Sequence, residues 1–199
     1  MYTVYGNVFT RAMRVLWCLE EIGLDYTHVP ASPQSPEILA VNPAGKLPAM
    51  SLDDGTVLTD STAIMTYLAD KHDAVTYPAG TVERARQDGI THKLLDELDA
   101  CLWTASRMTA ILPEDKRVPS VVPSLQFEFA KSIRQIEAQF EGPYIAGEIF
   151  TVPDIILAHC AAWARSIQFE IESDKILGHV KSLRARPAFR KVVAMGQAA

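Results

Sequence analysis

Asp60 and Ser61 stand where a helix begins, ahead of the helically spaced Ala63, Ile64, Tyr67 and Leu68. The first turn of a helix presents unpaired N–H groups and a positive dipole end, which suit a carboxylate. The Ser61 hydroxyl adds a donor and Asp60 an acceptor for an amine, so the pair fits an amino-acid head group carrying both charges. Simple N-capping, worth about 1 kcal/mol, is the plainer reading of the same residues. Leu47-Pro48 opens an extended run, and an X-Pro bond there is a candidate cis peptide. Proline cannot donate to a strand ladder, so the backbone before it is left to pair with something outside the sheet, such as a small peptide. An ordinary turn proline fits the position equally.

A third group lies near the start of the first helix: Tyr5, Asn7 and Thr10, with Arg11 and Arg14 close by. A hydroxyl at the positive end of a helix can donate to a bound thiolate. Starting from a free thiol pKa of about 8.5, each unit of depression corresponds to about 1.4 kcal/mol of thiolate stabilisation. Two units turn a minor species into the majority at neutral pH. The alternative is that Thr10 only caps and Tyr5 only packs in a strand.

These groups must be positioned by elements that change every ten residues or so, which is the grammar of mixed α/β structure. Tyr2 to Tyr5 is a short β-prone run. From Thr10 the apolar spacing is helical through Ala12, Val15, Leu16, Leu19 and Ile22, with Gly23 as a stop. Leu24 to Val29 reads as a second strand, giving a right-handed parallel βαβ unit. After a Pro-rich loop, Leu47 to Leu52, the turn Asp53-Asp54-Gly55 and Thr56 to Leu58 read as a hairpin added to that sheet, followed by the helix that Asp60-Ser61 opens.

Near Thr76-Tyr77-Pro78-Ala79-Gly80 the pattern changes, and almost everything beyond has a period near 3.6. Helices are expected at about 82–112, 121–140, 151–168 and 174–181, with a last one from about 187, punctuated by Pro113, Pro119, Pro123, Gly142-Pro143 and Gly147. The domain boundary therefore falls at a linker of about 77–81.

The chain of 199 residues is 48% hydrophobic and 22% charged, enough for one substantial core or two modest ones. No apolar run approaches the roughly 18 residues needed to span a bilayer, and the N-terminus lacks the order of a signal peptide, so a cytoplasmic location is expected. Cys18, Cys101 and Cys160 are odd in number and set in apolar helical patterns, as expected of reduced core thiols rather than of disulfides or a metal site. The net charge of −5 comes with no dense basic patch, so neither nucleic acid nor an anionic membrane is an expected partner.

These elements in this order resemble the cytosolic glutathione transferase family over essentially the whole chain. Arg11 to Leu24 resembles the family's opening helix, Asn42-Pro43-Ala44-Gly45-Lys46-Leu47-Pro48 the loop before its cis-proline, and Leu58 to Ile64 its acidic-Ser helix start. Thr151-Val152-Pro153-Asp154-Ile155 resembles the buried capping box of its C-terminal domain, and Arg186-Pro187-Ala188-Phe189 the entry to its last helix. The resemblance implies α/β plus all-α architecture: a thioredoxin-like glutathione-binding domain over 1–76 and an all-α, helical-bundle domain over 82–199.

It further implies that the Leu47 backbone pairs with the cysteinyl part of glutathione while Pro48 holds the loop cis. Ser61 and Asp60 would hold the γ-glutamyl carboxylate and amine, and Lys46 would reach a carboxylate. Asp60 departs from the more frequent Glu or Gln, being one methylene shorter. Where the family activates the thiol with Tyr, Ser or Cys, this sequence has Thr10 at the Ser-like position and Tyr5 near the Tyr-like one, and Thr10 is preferred. Phe9, Trp103, Arg107 and Met108 are the candidates for an apolar electrophile pocket between the domains, although Trp103 and Met108 also suit a helical core. Glutathione is the implied co-substrate, with no metal, and a two-fold homodimer the implied assembly. Transfer of glutathione to an electrophile, as in detoxification, leads. Glutathione-dependent peroxidase or isomerase chemistry, or a non-catalytic stress-response module on the same fold, are the alternatives.

Overall fold

The computed structural model describes residues 1–197 and divides into two compact units, Met1–Thr81 together with the residues from Arg184 onward, and Val82–Leu183. The first unit carries a four-stranded sheet in the order β2-β1-β3-β4, formed by β1 (Tyr2–Tyr5), β2 (Tyr26–Val29), β3 (Ala49–Ser51) and β4 (Val57–Thr59). β1 runs parallel to β2 and antiparallel to β3, and β3 is antiparallel to β4. This is the thioredoxin-like arrangement expected of the first half.

Alternation along β1 fills both faces of the sheet. Val4 and its partner Met50 are fully buried on one face. One residue on, Tyr5 and its partner Ala49 lie on the other, in a cluster with Ala31, Ile38, Val41, Leu47 and Val57. Ile38 comes from α2 (Pro36–Leu39), a single turn inside the expected Pro-rich loop. Four residues cannot display a helical period, which is why the pattern hid it.

α1 (Ala12–Ile22) and α3 (Ser61–Lys71) pack against each other, and α9 (Pro187–Gln197) packs on α1. Val15, Leu16, Trp17, Cys18 and Leu19 are all fully buried. Each large apolar side chain so enclosed contributes about 1.5–3 kcal/mol. The Trp17 and Phe189 rings meet edge to face at 4.9 Å. Lys191 pairs with Glu20 at 2.8 Å, so the last helix is fastened to α1 by charge as well as by apolar area.

The second unit is helical. The expected helix over 82–112 is continuous in path but not in type: α4 (Val82–Lys93) passes into a π-helical stretch, Leu94–Asp99, then α5 (Ala100–Ser106), then a second π-helical stretch, Arg107–Ile111. Short 3-10 turns at Glu114–Lys116 and Pro119–Val121 lead to α6 (Val122–Gln139), followed by α7 (Val152–Ser166) and α8 (Asp174–Arg184). α7 is the core helix, buried at every position from Val152 to Ala158.

Its start is held by Asp154, whose carboxylate accepts from Thr151 N–H at 2.9 Å, from the Thr151 hydroxyl at 3.3 Å and from Ile145 N–H at 3.1 Å. His179 Nε2 completes the set at 2.8 Å. No helix among the described residues is long and apolar enough to cross a membrane. Cys18 and Cys160 are buried and Cys101 is half-buried, and none of the three is in a disulfide.

Candidate glutathione site

Three neighbouring strands bring the sequence-predicted groups to one end of the sheet. Tyr5 ends β1 and pairs with Ala49, which begins β3; Ala49 pairs in turn with Thr59, which ends β4. The chain leaves these three adjacent positions into the Gly6–Thr10 turn, into Pro48 and Leu47, and into Asp60 and Ser61. Antiparallel pairing is what makes one strand's start coincide with its neighbours' ends.

The Gly6–Thr10 turn is pinned by backbone and side-chain hydrogen bonds. Gly6 N–H donates to Val29 O at 3.0 Å and Asn7 N–H to Ala31 O at 3.1 Å. Asn7 Oδ1 accepts from Phe9 N–H at 3.0 Å. The Thr10 hydroxyl donates to Asn7 O at 2.8 Å and accepts from Ala12 N–H at 3.2 Å. Thr10 therefore closes the turn and leads into α1. Tyr5 spends its ring on the apolar cluster with Ala31, Ile38 and Ala49. Phe9 stands out from the same turn, 83% exposed.

The second wall is the loop over 42–48. Asn42 organises it, taking Ala44 N–H on Oδ1 at 3.2 Å and giving Nδ2 to Lys46 O at 2.9 Å. Gln34 braces it from outside, its N–H donating to Gly45 O at 3.0 Å and its Nε2 to Ala44 O at 3.0 Å. The Leu47–Pro48 peptide is cis, Pro48 is buried, and Lys46 is exposed. Leu47 precedes the ladder of β3, and its side chain lies against the β1–α1 turn: a Cβ added at Gly6 would sit 3.4 Å from Leu47 Cβ and 2.7 Å from Ala12 Cβ. Gly6, at φ +134, thus meets both a backbone and a packing requirement that a side chain would break.

At the third wall Asp60 adopts φ 69, ψ 123 and its Oδ1 accepts from Thr62 N–H at 2.9 Å and Ala63 N–H at 3.0 Å. A non-glycine residue in that region costs about 1–3 kcal/mol and persists where the surroundings impose it, often at a ligand site. The cap uses one carboxylate oxygen of Asp60. Ser61 follows, 2% exposed, at the first helical position.

In the second unit Trp103, Arg107 and Met108 lie together along α5 and the stretch beyond it. The Arg107 guanidinium is 6.0 Å from the Trp103 ring centroid, and Trp103 meets Trp163 edge to face at 6.4 Å. Trp163 Nε1 donates to Ser106 Oγ at 3.0 Å. All of these side chains are half-buried. Asn42 belongs to the loop that the sequence marks, whereas Gln34 and His28, whose Nε2 lies 2.8 Å from Gly6 O, lie outside every segment that it marks for the site. Only Asn42-Pro43 carries a local turn signal; the other two act across the fold. Cys18, in the middle of α1, has its thiol pushed well above the usual range by burial and by Glu21, so it supplies no thiolate. Among the described residues no cluster of His, Cys, Asp or Glu is arranged to hold a metal ion.

Residues 10–71 match the family described as glutathione S-transferase, N-terminal domain, a span that contains Thr10, the cis-proline loop and the Asp60-Ser61 helix start. The glutathione S-transferase GstA of Escherichia coli O157:H7 is 29% identical over 184 residues, covering 88% of this chain and 87% of its own length. The chain is similar to the glutathione S-transferase family in this N-terminal domain and, over its whole length, in its fold. A maleylacetoacetate isomerase of Pseudomonas aeruginosa is 31% identical over 98 residues, 45% of each chain. Among solved structures, a glutathione transferase from Phanerochaete chrysosporium in complex with oxidized glutathione superposes with a TM-score of 0.84 at 25% identity, over 99% of this chain and 96% of that one. A Sulfitobacter homolog with bound glutathione gives 0.86 at 23% identity over 98% of both, a likeness of fold.

Proposed function

We propose that the chain is a glutathione transferase that stabilises the glutathione thiolate for attack on an apolar electrophile. The observation that supports this most is the convergence of the Gly6–Thr10 turn, the Leu47-Pro48 loop and Asp60-Ser61 at adjacent ends of β1, β3 and β4. In this reading the first domain, 1–76, binds glutathione. The Leu47 backbone, lying outside the β3 ladder, pairs with the cysteinyl unit. Ser61 Oγ and the positive end of α3 take the γ-glutamyl carboxylate, and Asp60 Oδ2 takes the amine, Oδ1 being engaged by the cap. Lys46, exposed beside them, pairs with a further carboxylate.

Thr10 is the thiol-activating hydroxyl. Its proton rests on a neutral carbonyl, Asn7 O, and a turn about the Cβ–Oγ bond alone redirects it to sulfur. A charge-assisted bond to a thiolate is about twice as strong as a neutral one, so the exchange favours the ionised thiol. Sulfur then forms the new bond to the electrophilic carbon, and the electron pair moves into the acceptor or leaves with the departing group, the thiol proton having gone to solvent. Tyr5 is the weaker candidate because its ring is held in the apolar cluster. Trp103, Arg107 and Met108 offer an apolar surface with one cation for the electrophile. Homodimeric assembly and a cytoplasmic location belong to the same proposal.

Glutathione affinity, followed by turnover of a panel of electrophiles by the wild type, Thr10→Ala and Tyr5→Phe, tests it. Tight binding with no turnover above the uncatalysed rate would leave a binding module and sink the transferase reading. The 31% identity to a maleylacetoacetate isomerase over 98 residues supports a second reading, in which the same thiolate adds reversibly to an unsaturated diacid and is released after isomerisation. Consumption of glutathione separates the two, because an isomerase regenerates it.

A further inference from the structure

The Gly6–Thr10 turn is only five residues long, and two distant parts of the chain hold it from outside. From β2, His28 Nε2 reaches Gly6 O at 2.8 Å. A carbonyl oxygen only accepts, so this nitrogen carries the proton and donates. The Gly6 peptide is fixed on its other side by Gly6 N–H to Val29 O at 3.0 Å. From α9, the backbone of Gly196 is seated on Val8, such that a Cβ added at Gly196 would lie 2.2 Å from Val8 Cγ2, 3.4 Å from Phe9 Cζ and 3.6 Å from Val8 Cβ. α9 cannot retreat freely, since Arg186 is bound to Glu21 at 2.7 and 2.6 Å, Lys191 to Glu20 at 2.8 Å, and Phe189 to the Trp17 ring.

We propose that His28 and Gly196 are positioning residues for thiol activation, setting the Gly6–Thr10 turn from its two sides and through it the direction of the Thr10 hydroxyl. Gly6 adjoins Asn7, whose carbonyl holds the Thr10 hydroxyl at 2.8 Å, and Val8 and Phe9 bridge the remainder. A shift of Gly6 or Val8 by a few tenths of an ångström is carried to Thr10 Oγ with little to absorb it. Hydrogen bonds to a developing charge decline steeply with distance, and misplacement by 1 Å costs about a hundredfold in rate. Glycine at 196 is thereby a close-approach residue, although α9 by itself would favour alanine there by about 1 kcal/mol.

The inference rests on the reading of Thr10 as the activating hydroxyl, and the experiment keeps the two apart. The ionisation of bound glutathione is followed by thiolate absorbance against pH, with glutathione affinity and thermal midpoint measured alongside. The variants are Thr10→Ala, His28→Phe, His28→Gln, Gly196→Ala and Val8→Ala/Gly196→Ala. Thr10→Ala is expected to move the ionisation midpoint to higher pH. His28→Phe and Gly196→Ala should move it the same way by about half a pH unit or more and lower kcat about fivefold to tenfold, with glutathione affinity within about twofold. His28→Gln retains an N–H donor and should recover most of the loss. Val8→Ala removes the atom at 2.2 Å and leaves Cβ at 3.6 Å, an ordinary contact, so the double variant should return to the wild-type midpoint.

If Thr10→Ala shifts the midpoint but His28→Phe and Gly196→Ala do not, the positioning role is overturned and the transferase reading stands. If Thr10→Ala leaves the midpoint unmoved, the Thr10 assignment fails and this inference with it. Loss of stability or affinity without a change in ionisation would make both residues merely structural and also overturns the proposal. Should His28→Phe fail to fold, His28→Gln and the Gly196 pair decide the matter.

Discussion

The guanidinium of Arg186 meets both carboxylate oxygens of Glu21, Nε to Oε1 at 2.7 Å and Nη2 to Oε2 at 2.6 Å, across 165 residues of chain. Glu21 Oε1 also accepts from Trp17 Nε1 at 2.8 Å, so one nearly enclosed carboxylate joins α1 to the entry of α9. Removing one partner of a buried pair costs about 3–5 kcal/mol, and the partial exposure of Arg186 lowers that. Glu21→Gln is therefore expected to cost about 2 kcal/mol and to lower the thermal midpoint by about 5 °C. Calorimetry checks this, and Arg186→Lys should lose part of the same increment because a lysine cannot reproduce the two-pronged contact.

Asp60 and Ser61 divide two tasks that sequence alone could not separate. Asp60 caps α3 through Thr62 and Ala63 N–H, whereas Ser61, at the first helical position, takes no part in that cap. Ser61→Ala should leave the thermal midpoint almost unchanged and weaken glutathione binding about tenfold, the loss of one hydrogen bond to a charged group. Asp60→Ala should weaken binding and also lower stability by about 1 kcal/mol. Calorimetric titration with thermal melts distinguishes the two outcomes. A Ser61→Ala protein with wild-type affinity would remove Ser61 from the site.

Several features of fold and site were legible because they are local. The strand and hairpin pattern follows from neighbouring residues; the cis peptide before the third strand is one of two readings that Leu47-Pro48 allows, and the Thr151–Asp154 capping box is a short motif that the family resemblance marks. Proline, glycine and short polar side chains constrain the backbone where they stand. Features that depend on contacts across the fold were not readable. The single turn Pro36–Leu39 is stabilised by Ile38 in a cluster that also draws on β1, β3 and β4. The π-helical stretches at Leu94–Asp99 and Arg107–Ile111 keep an apolar spacing close to that of an α-helix, so periodicity does not distinguish them. His28 sits in a strand as an ordinary alternating residue, and its tie to Gly6 O exists only once β1 and β2 are parallel.

The buried thiol of Cys18 predicts an alkaline weakness. Burial first, and the charge of Glu21 second, push this thiol well up from its usual value. The unfolded chain loses the proton from about pH 8.5, whereas the folded chain keeps it, so the unfolded state binds fewer protons as pH rises. Stability is fully present below about pH 8.5 and falls above it, by at most about 1.4 kcal/mol per pH unit for this thiol. Tyr26, raised by burial and by its bond to Glu20, adds a similar loss above about pH 10. Melts from pH 7 to 10 should show a shallower decline for Cys18→Ala than for the wild type, even if its midpoint at pH 7 is lower. In the native protein Cys18 should resist thiol reagents and Cys101, half-buried and raised chiefly by desolvation, should react slowly.

Asp154 offers the sharpest test of what holds the second unit together. Its two oxygens serve Ile145 N–H, Thr151 N–H, the Thr151 hydroxyl and His179 Nε2, and both Asp154 and Thr151 are fully buried. Asp154→Ala strands these groups at once in a site without water access, where each unsatisfied polar group costs about 1–3 kcal/mol. The expected loss is about 3–5 kcal/mol, large enough to leave much of the protein unfolded or aggregated near body temperature. Asp154→Asn keeps one carbonyl acceptor and should lose less. Hydrogen exchange followed by mass spectrometry reads the prediction locally: protection should fall in α7 and in the segment around Ile145 before it falls in the sheet. Equal loss in both units would mean that Asp154 acts on the whole fold rather than on the start of α7.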